Sequence, residues 1–160
     1  MLTLTPSRID LPADVREKTV TLLNDMLAST LDLYSQVKYA HWNVKGSHFF
    51  QLHELFDNVA EPLIGFVDEL AERITALGGV AQGTVRQAAE NSILPEYTLG
   101  KLDGNAHVQV VADHLAAYAS HIRLGIQQTA DWGDAGTSDL LTGISREVDK
   151  KLWFVESHLH

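Results

Sequence analysis

The chain has 160 residues, 45% hydrophobic and 21% charged, with 21 acidic against 12 basic side chains and a net charge of −9. That length suits one domain with one core burying roughly 70% of the unfolded surface, and the acidic balance argues against a protein built to grip phosphate. There is no cysteine, which excludes disulfides and thiolate metal sites and leaves His, Asp and Glu as the available metal ligands.

No apolar run approaches the ~20 residues that span a bilayer. Met1–Asp10 lacks the basic-then-apolar layout of a secretory signal, so the expected compartment is the cytoplasm. A single domain over 1–160 is expected, with 1–11 as a short N-terminal tail. Pro12 suits a first helical turn, where its missing N–H does no harm. Leu23, Leu27, Leu31 and Tyr34, beside Leu22, Met26, Leu33 and Val37, form a broad apolar face of helical period that runs to about Trp42. Val44-Lys45-Gly46-Ser47 reads as a turn. A second helix starts near Ser47 and carries apolar residues from Leu52 to Leu77 until Gly78-Gly79 stops it. Pro62 lies within it, and a kink is expected there because the pattern continues in phase. A short helix is expected over Thr84–Glu90, and a third long one over about Asn105–Ala130. Asp131–Gly136 reads as a loop, with Thr137 or Ser138 capping a fourth long helix. Four long amphipathic helices with one longer middle connection describe a four-helix bundle, an all-α fold.

The informative side chains are His41, His53, Asp57, Asp68 and Glu72. His41 and His53 flank the Gly46-Ser47 turn evenly, so an antiparallel helix pair sets them level, and Asp57 lies one turn beyond His53 on the same face. On the second helix His53, Asp57, Asp68 and Glu72 fall at about 0°, 40°, 60° and 100°, one stripe. His53 and Glu72 are nevertheless about 28 Å apart along the axis at 1.5 Å per residue. One straight helix cannot bring both to one ion, whereas an antiparallel second copy sets His53 and Asp57 opposite the partner's Asp68 and Glu72. A two-fold interface then creates two identical sites, and a dimer is the expected minimum unit. Two imidazoles and three carboxylates suit Fe(II), Mn(II) or Zn(II). Each of the five taken singly also fits a solvated helix face. A zinc hydrolase on the same ligands is the other enzyme class, but no nucleophile or dedicated general base is evident beside them.

Lys38-Tyr39-Ala40-His41-Trp42-Asn43-Val44-Lys45-Gly46 resembles the signature of the Dps family of mini-ferritins. So do His53-Glu54-Leu55-Phe56-Asp57, Asp68-Glu69-Leu70-Ala71-Glu72-Arg73, Leu77-Gly78-Gly79 and Asp149-Lys150-Lys151-Leu152-Trp153-Phe154, so the likeness covers nearly the whole chain. The resemblance implies a ferritin-like bundle assembled as twelve subunits into a hollow dodecameric shell. It implies a ferroxidase site at the five residues named above, holding two iron ions, Fe(II) before and Fe(III) after oxidation, with hydrogen peroxide as the preferred oxidant. It also implies ferric oxide stored in the cavity and protection from oxidative damage. Larger ferritins use Glu-x-x-His pairs within one bundle, and this sequence contains none.

Trp42 adjoins a ligand and is a candidate to donate electrons to oxidising equivalents that escape the irons. Its other reading is ordinary packing. Asp139, and second Asp134, are candidates for a pore that admits iron at a three-fold axis, because the resemblance puts the start of the fourth helix there. Helix capping and dipole compensation are the competing roles. His107, His114 and His121 recur every seven residues and read as a solvated or inter-subunit face, with a metal stripe as the sharper reading. His158 and His160 are candidates for adventitious metal binding. Trp153, in an apolar helix, reads as core. The alternative function is a DNA-condensing, nucleoid-associated protein with secondary iron oxidation. Against it, only Arg8 precedes Pro12 as a basic residue, and the chain is acidic.

Overall fold

The computed structural model describes residues 4–98, 100 and 103–160. Five helices follow in order: α1 (Ala13–Asn43), α2 (Phe49–Ala76), α3 (Val85–Asn91), α4 (Gly104–Asp131) and α5 (Ala135–Glu156). No strand occurs among the described residues, and none of their helices is long and apolar enough to cross a membrane. α1 packs mainly on α2 and α4 mainly on α5, giving two hairpins joined through α1 against α4, while α3 in the long connection lies on α1. This is the expected four-helix bundle with a short helix in its middle connection.

The core is the meeting of four apolar stripes. Val20, Leu23, Met26, Leu27, Leu33 and Val37 of α1 face Leu52, Phe56, Val59, Leu63, Leu70 and Ile74 of α2. Val108, Val111, Leu115 and Ile122 of α4 and Leu141, Ile144, Val148 and Val155 of α5 close the other half. Within this core the Tyr118 hydroxyl donates to Thr30 Oγ1 at 2.7 Å, and Thr30 in turn donates to the Met26 carbonyl at 2.6 Å. A buried hydroxyl pair is thereby satisfied rather than left to cost free energy. α4 approaches α1 closely at Gly125, where a Cβ would lie 2.1 Å from Met26 Cε.

α2 runs through Pro62 as one continuous helix. It stops at Gly78, whose φ of +91° a side chain would resist, and whose carbonyl accepts the Thr5 N–H at 2.8 Å. The Ser7 hydroxyl also donates to the Ala76 carbonyl, so residues 5–7 of the tail dock on the end of α2. α3 covers Val85–Asn91 and opens with a capping box between Thr84 and Gln87.

Three expectations are corrected. α5 begins at Ala135 with Asp134 as its N-cap, rather than with Thr137 or Ser138: the Asp134 carboxylate accepts the Thr137 N–H at 2.9 Å and leaves both hydroxyls inside the helix. Trp153 is 63% exposed rather than core, because the apolar stripe of α5 runs through Val148 and Val155. His107 and His114 are buried, at 1% and 7% exposure, rather than solvated. They turn inward because Tyr97, between α3 and α4, packs against both rings.

Candidate metal centre

The α1–α2 turn closes on Gly46 (φ +115°), whose carbonyl accepts the Phe49 N–H. It sets the last turn of α1 beside the first turns of α2. There His41 Nδ1 lies 2.7 Å from the His53 carbonyl, and His53 Nδ1 lies 2.8 Å from the His41 carbonyl. A carbonyl oxygen only accepts, so each Nδ1 carries the proton and each Nε2 keeps its lone pair. The rings stack at 3.7 Å with 20° between their planes. His41 is buried and His53 half-buried. The His53 bond also satisfies a carbonyl in the last turn of α1, where four are left without helical partners. Both imidazoles are thus held by second-side hydrogen bonds in the tautomer a metal requires.

Asp57 lies one turn along α2. Its Oδ1 is 4.0 Å from His41 Nδ1 and 2.5 Å from Lys38 Nζ. The Lys38 hydrogen bond holds the Asp57 carboxyl below its ordinary pKa. Burial opposes the shift, and the charges of Lys38, His41 and His53 reinforce it. Asp68 and Glu72 are exposed, and their carboxylates have no hydrogen-bond or ion-pair partner among the described residues. Among those residues, no three His, Asp or Glu side chains of one chain gather closely enough to hold an ion. The predicted residues therefore fall into two regions, neither of which closes on an ion by itself: His53 and Asp57 near the start of α2 beside His41 of α1, and Asp68 with Glu72 farther along α2.

Exposed Asp57, Glu61, Ile64, Gly65, Asp68 and Glu72 make one continuous stripe on α2. The pairs His53/Glu72 and Asp57/Asp68 are centred on the same point, the peptide joining Pro62 to Leu63. A single antiparallel register of two α2 helices therefore serves both pairs. Beside the stripe lies an open groove of about 440 Å³, lined by Leu31, Tyr34, Lys38, Trp42, Ile64 and Val85 among others. Trp42 is 67% exposed, with its indole on this groove rather than in a core.

The chain matches the ferritin-like domain family over residues 20–160. It is 35% identical to the DNA protection during starvation protein of Agrobacterium fabrum, over 94% of this chain and 93% of that protein. Among solved structures it resembles DpsC from Streptomyces coelicolor, with a TM-score of 0.94 and 31% identity over 99% of this chain and 92% of that one. Mycobacterium smegmatis Dps matches with a TM-score of 0.94 and 28% identity, over 99% and 95% of the two chains. The chain belongs to the Dps family.

In this Dps chain the other predicted residues separate clearly. Asp134 is 1% exposed. Its carboxylate is taken up by the Thr137 N–H, the Thr137 hydroxyl at 2.7 Å and Arg73 Nη2 at 2.7 Å. It is a cap and ion-pair partner, not a free pore carboxylate. Asp139 is exposed on the first turns of α5 and has no partner among the described residues. His107 Nδ1 bonds the Tyr97 hydroxyl at 2.7 Å. His114 Nδ1 and His121 Nε2 are buried without a hydrogen-bond partner among the described residues. Burial lowers the pKa of all three histidines, against the opposing pull of Asp103 on His107, Asp32 and Asp113 on His114, and Asp25 on His121. His158 Nδ1 bonds the Phe154 carbonyl, and His160 is exposed. Sequence reasoning missed Lys38 as a site residue. Its place one turn before His41 on the same face was the available signal.

Proposed function

We propose that this Dps chain oxidises Fe(II) at a two-iron site shared across a two-fold axis. His41, His53 and Asp57 of one copy face Asp68 and Glu72 of the other. The observation that carries the reading is the pair of reciprocally bonded histidines, whose proton positions leave Nε2 of each ring available, with His53 on the same α2 stripe as two carboxylates that have no partner among the described residues. The second copy docks along that stripe, covering Trp42, Ile64 and Val85, which are 67%, 48% and 86% exposed in the single chain. Gly65, with open space around its Cβ position, permits close helix approach there.

The substrate is Fe(II), bound by imidazole nitrogen and carboxylate oxygen, a ligand set suited to that ion. Three carboxylates offset most of the charge of two divalent ions and favour the product Fe(III) still more, which drives oxidation forward. Two Fe(II) ions deliver two electrons to one hydrogen peroxide, which with two protons becomes two waters. Paired delivery avoids the one-electron cleavage that frees hydroxyl radical. Trp42, next to His41, supplies an electron when an oxidising equivalent escapes. The family resemblance supports assembly of twelve copies into a shell that stores ferric oxide, working in the cytoplasm. The inlet for iron falls to Asp139 alone, because Asp134 is spent on Thr137 and Arg73. With a net charge of −9 per chain, DNA condensation is not the favoured role.

The test is Fe(II) oxidation by peroxide, followed by absorbance, in the wild type and in Asp68→Ala/Glu72→Ala. Both residues are exposed and have no partner among the described residues, so the variant is expected to fold and assemble normally while losing at least about tenfold in rate. A folded variant oxidising at the wild-type rate rejects the assignment.

A further inference from the structure

A second cavity, lined by none of the five proposed ligands, opens between α1, α3 and the segment that follows α3. It has a volume of about 450 Å³ and is lined by Asp32, Gln36 and Tyr39 of α1 and by Ser92, Glu96 and Tyr97 beyond α3, among others. The Gln36 amide builds it: its N–H groups donate to Asp32 Oδ1 and to the Pro95 carbonyl, both at 3.0 Å. Those bonds tie α1 to the backbone beside Glu96. The rings of Tyr39 and Tyr97 meet at 4.9 Å between centroids, tilted by 56°, and form the aromatic wall. Tyr97 spends its hydroxyl on His107, so it gives the cavity ring surface rather than a donor.

The polar lining is dominated by acceptors. Asp32 and Glu96 have no ion-pair partner among the described residues, and no Lys, Arg or His side chain lines the cavity. Gln36 is 8% exposed, and its Oε1 is buried with no hydrogen-bond partner among the described residues. An unmet buried acceptor costs free energy until a donor reaches it. His114 packs edge-on to Tyr97, and burial pushes its pKa down against the pull of Asp32 and Asp113, so it does not neutralise Asp32 at pH 7. We propose that this cavity binds a small organic cation, a linear aliphatic diamine, with its ammonium groups on Asp32 and Glu96 and its methylenes along Tyr39 and Tyr97. Ring faces attract an ammonium through their quadrupole and pack an alkyl chain. Two ammonium groups match two carboxylates in charge. The same wall decides against a divalent metal ion, which needs several oxygen ligands or its own waters. Only two carboxylates line the cavity, and no three-ligand cluster occurs among the described residues.

The test is calorimetric titration of the assembled full-length protein with diaminobutane at fixed ionic strength. Saturable binding of one diamine per chain is expected. Glu96→Gln and Asp32→Asn, shown folded by circular dichroism, should each weaken it about threefold or more, because each removes one of the two charges. Tyr39→Leu should weaken it about threefold through the lost ring face. Glu156→Gln, which removes an exposed charge at the end of α5, is the control and should leave binding unchanged. Mg(II) substituted for part of the salt should not displace the diamine. No saturable heat from the wild type up to about 10 mM diamine overturns the proposal. So does a loss in Glu156→Gln equal to that in Glu96→Gln, which marks attraction to the acidic surface as a whole. Stoichiometric displacement by Mg(II) also overturns it, because it marks a metal site instead.

Discussion

At the scale of single residues, the chemistry rests on what each polar group is already bonded to. His41 and His53 give one nitrogen each to a backbone carbonyl and keep the other. Asp68 and Glu72 keep everything. Asp134 keeps nothing, and its role is structural. Removing it should strand Arg73, only 23% of whose side chain is exposed, and uncap α5. Asp134→Ala is expected to cost about 2–4 kcal/mol in urea unfolding, the sum of a lost cap and a broken, largely buried ion pair. Asp134→Asn, which retains a capping oxygen, should cost less. An unchanged midpoint in Asp134→Ala would show that neither contact matters. This role was legible in advance: an Asp three residues before a Thr, just after a glycine, is an N-cap pattern. The Lys38–Asp57 pair was not legible, because its partners are 19 residues apart and meet only through the packing of α1 on α2.

At the scale of elements, α4 carries three histidines at heptad spacing that all turn toward α1 and the segment after α3. They read in sequence as a polar face, because histidine has no fixed preference for core or surface. Tyr97 decides the matter by supplying a bonding partner for His107 and an edge-on ring for His114. Burial makes all three harder to protonate in the folded chain than the ordinary value of 6.5. Between the lowered folded values and 6.5 the unfolded chain binds more protons, so this contribution to stability is full above about pH 6.5 and is lost as pH falls below it. The melting temperature is therefore expected to drop from pH 7 to pH 5. The drop should be shallower in His107→Gln/His114→Gln, whatever the variant's stability at pH 7. An equal pH slope in both proteins would remove these histidines from the account. Acidic neighbours such as Asp25 beside His121 act in the opposite sense and limit the size of the effect.

At the scale of the whole molecule, the reading requires that two chains build each site. Mixing tests this directly. A His53→Ala/Asp57→Ala chain and an Asp68→Ala/Glu72→Ala chain should each be inactive alone. Unfolded and refolded together, they form mixed dimers in which one of two sites is intact, so random pairing should restore roughly a quarter of wild-type Fe(II) oxidation. No recovery, with mixed dimers demonstrated by mass spectrometry, would place the site within one chain. Such a result would contradict the distance along α2 as well as the absence of a three-ligand cluster among the described residues of one chain.

What the sequence determined by itself was whatever depends on spacing along one helix or across one short turn. The four long helices, the level placement of His41 and His53 and the common stripe of Asp57, Asp68 and Glu72 all follow from helical period and rise, which any α-helix obeys. Tertiary structure decided which way side chains of ambiguous polarity face and what they bond. His107 and His114 went inward, Trp153 outward, Asp134 onto Arg73 and Lys38 onto a candidate ligand. Those outcomes depend on contacts between segments distant in sequence, whose energies are decided by packing and desolvation rather than by local pattern.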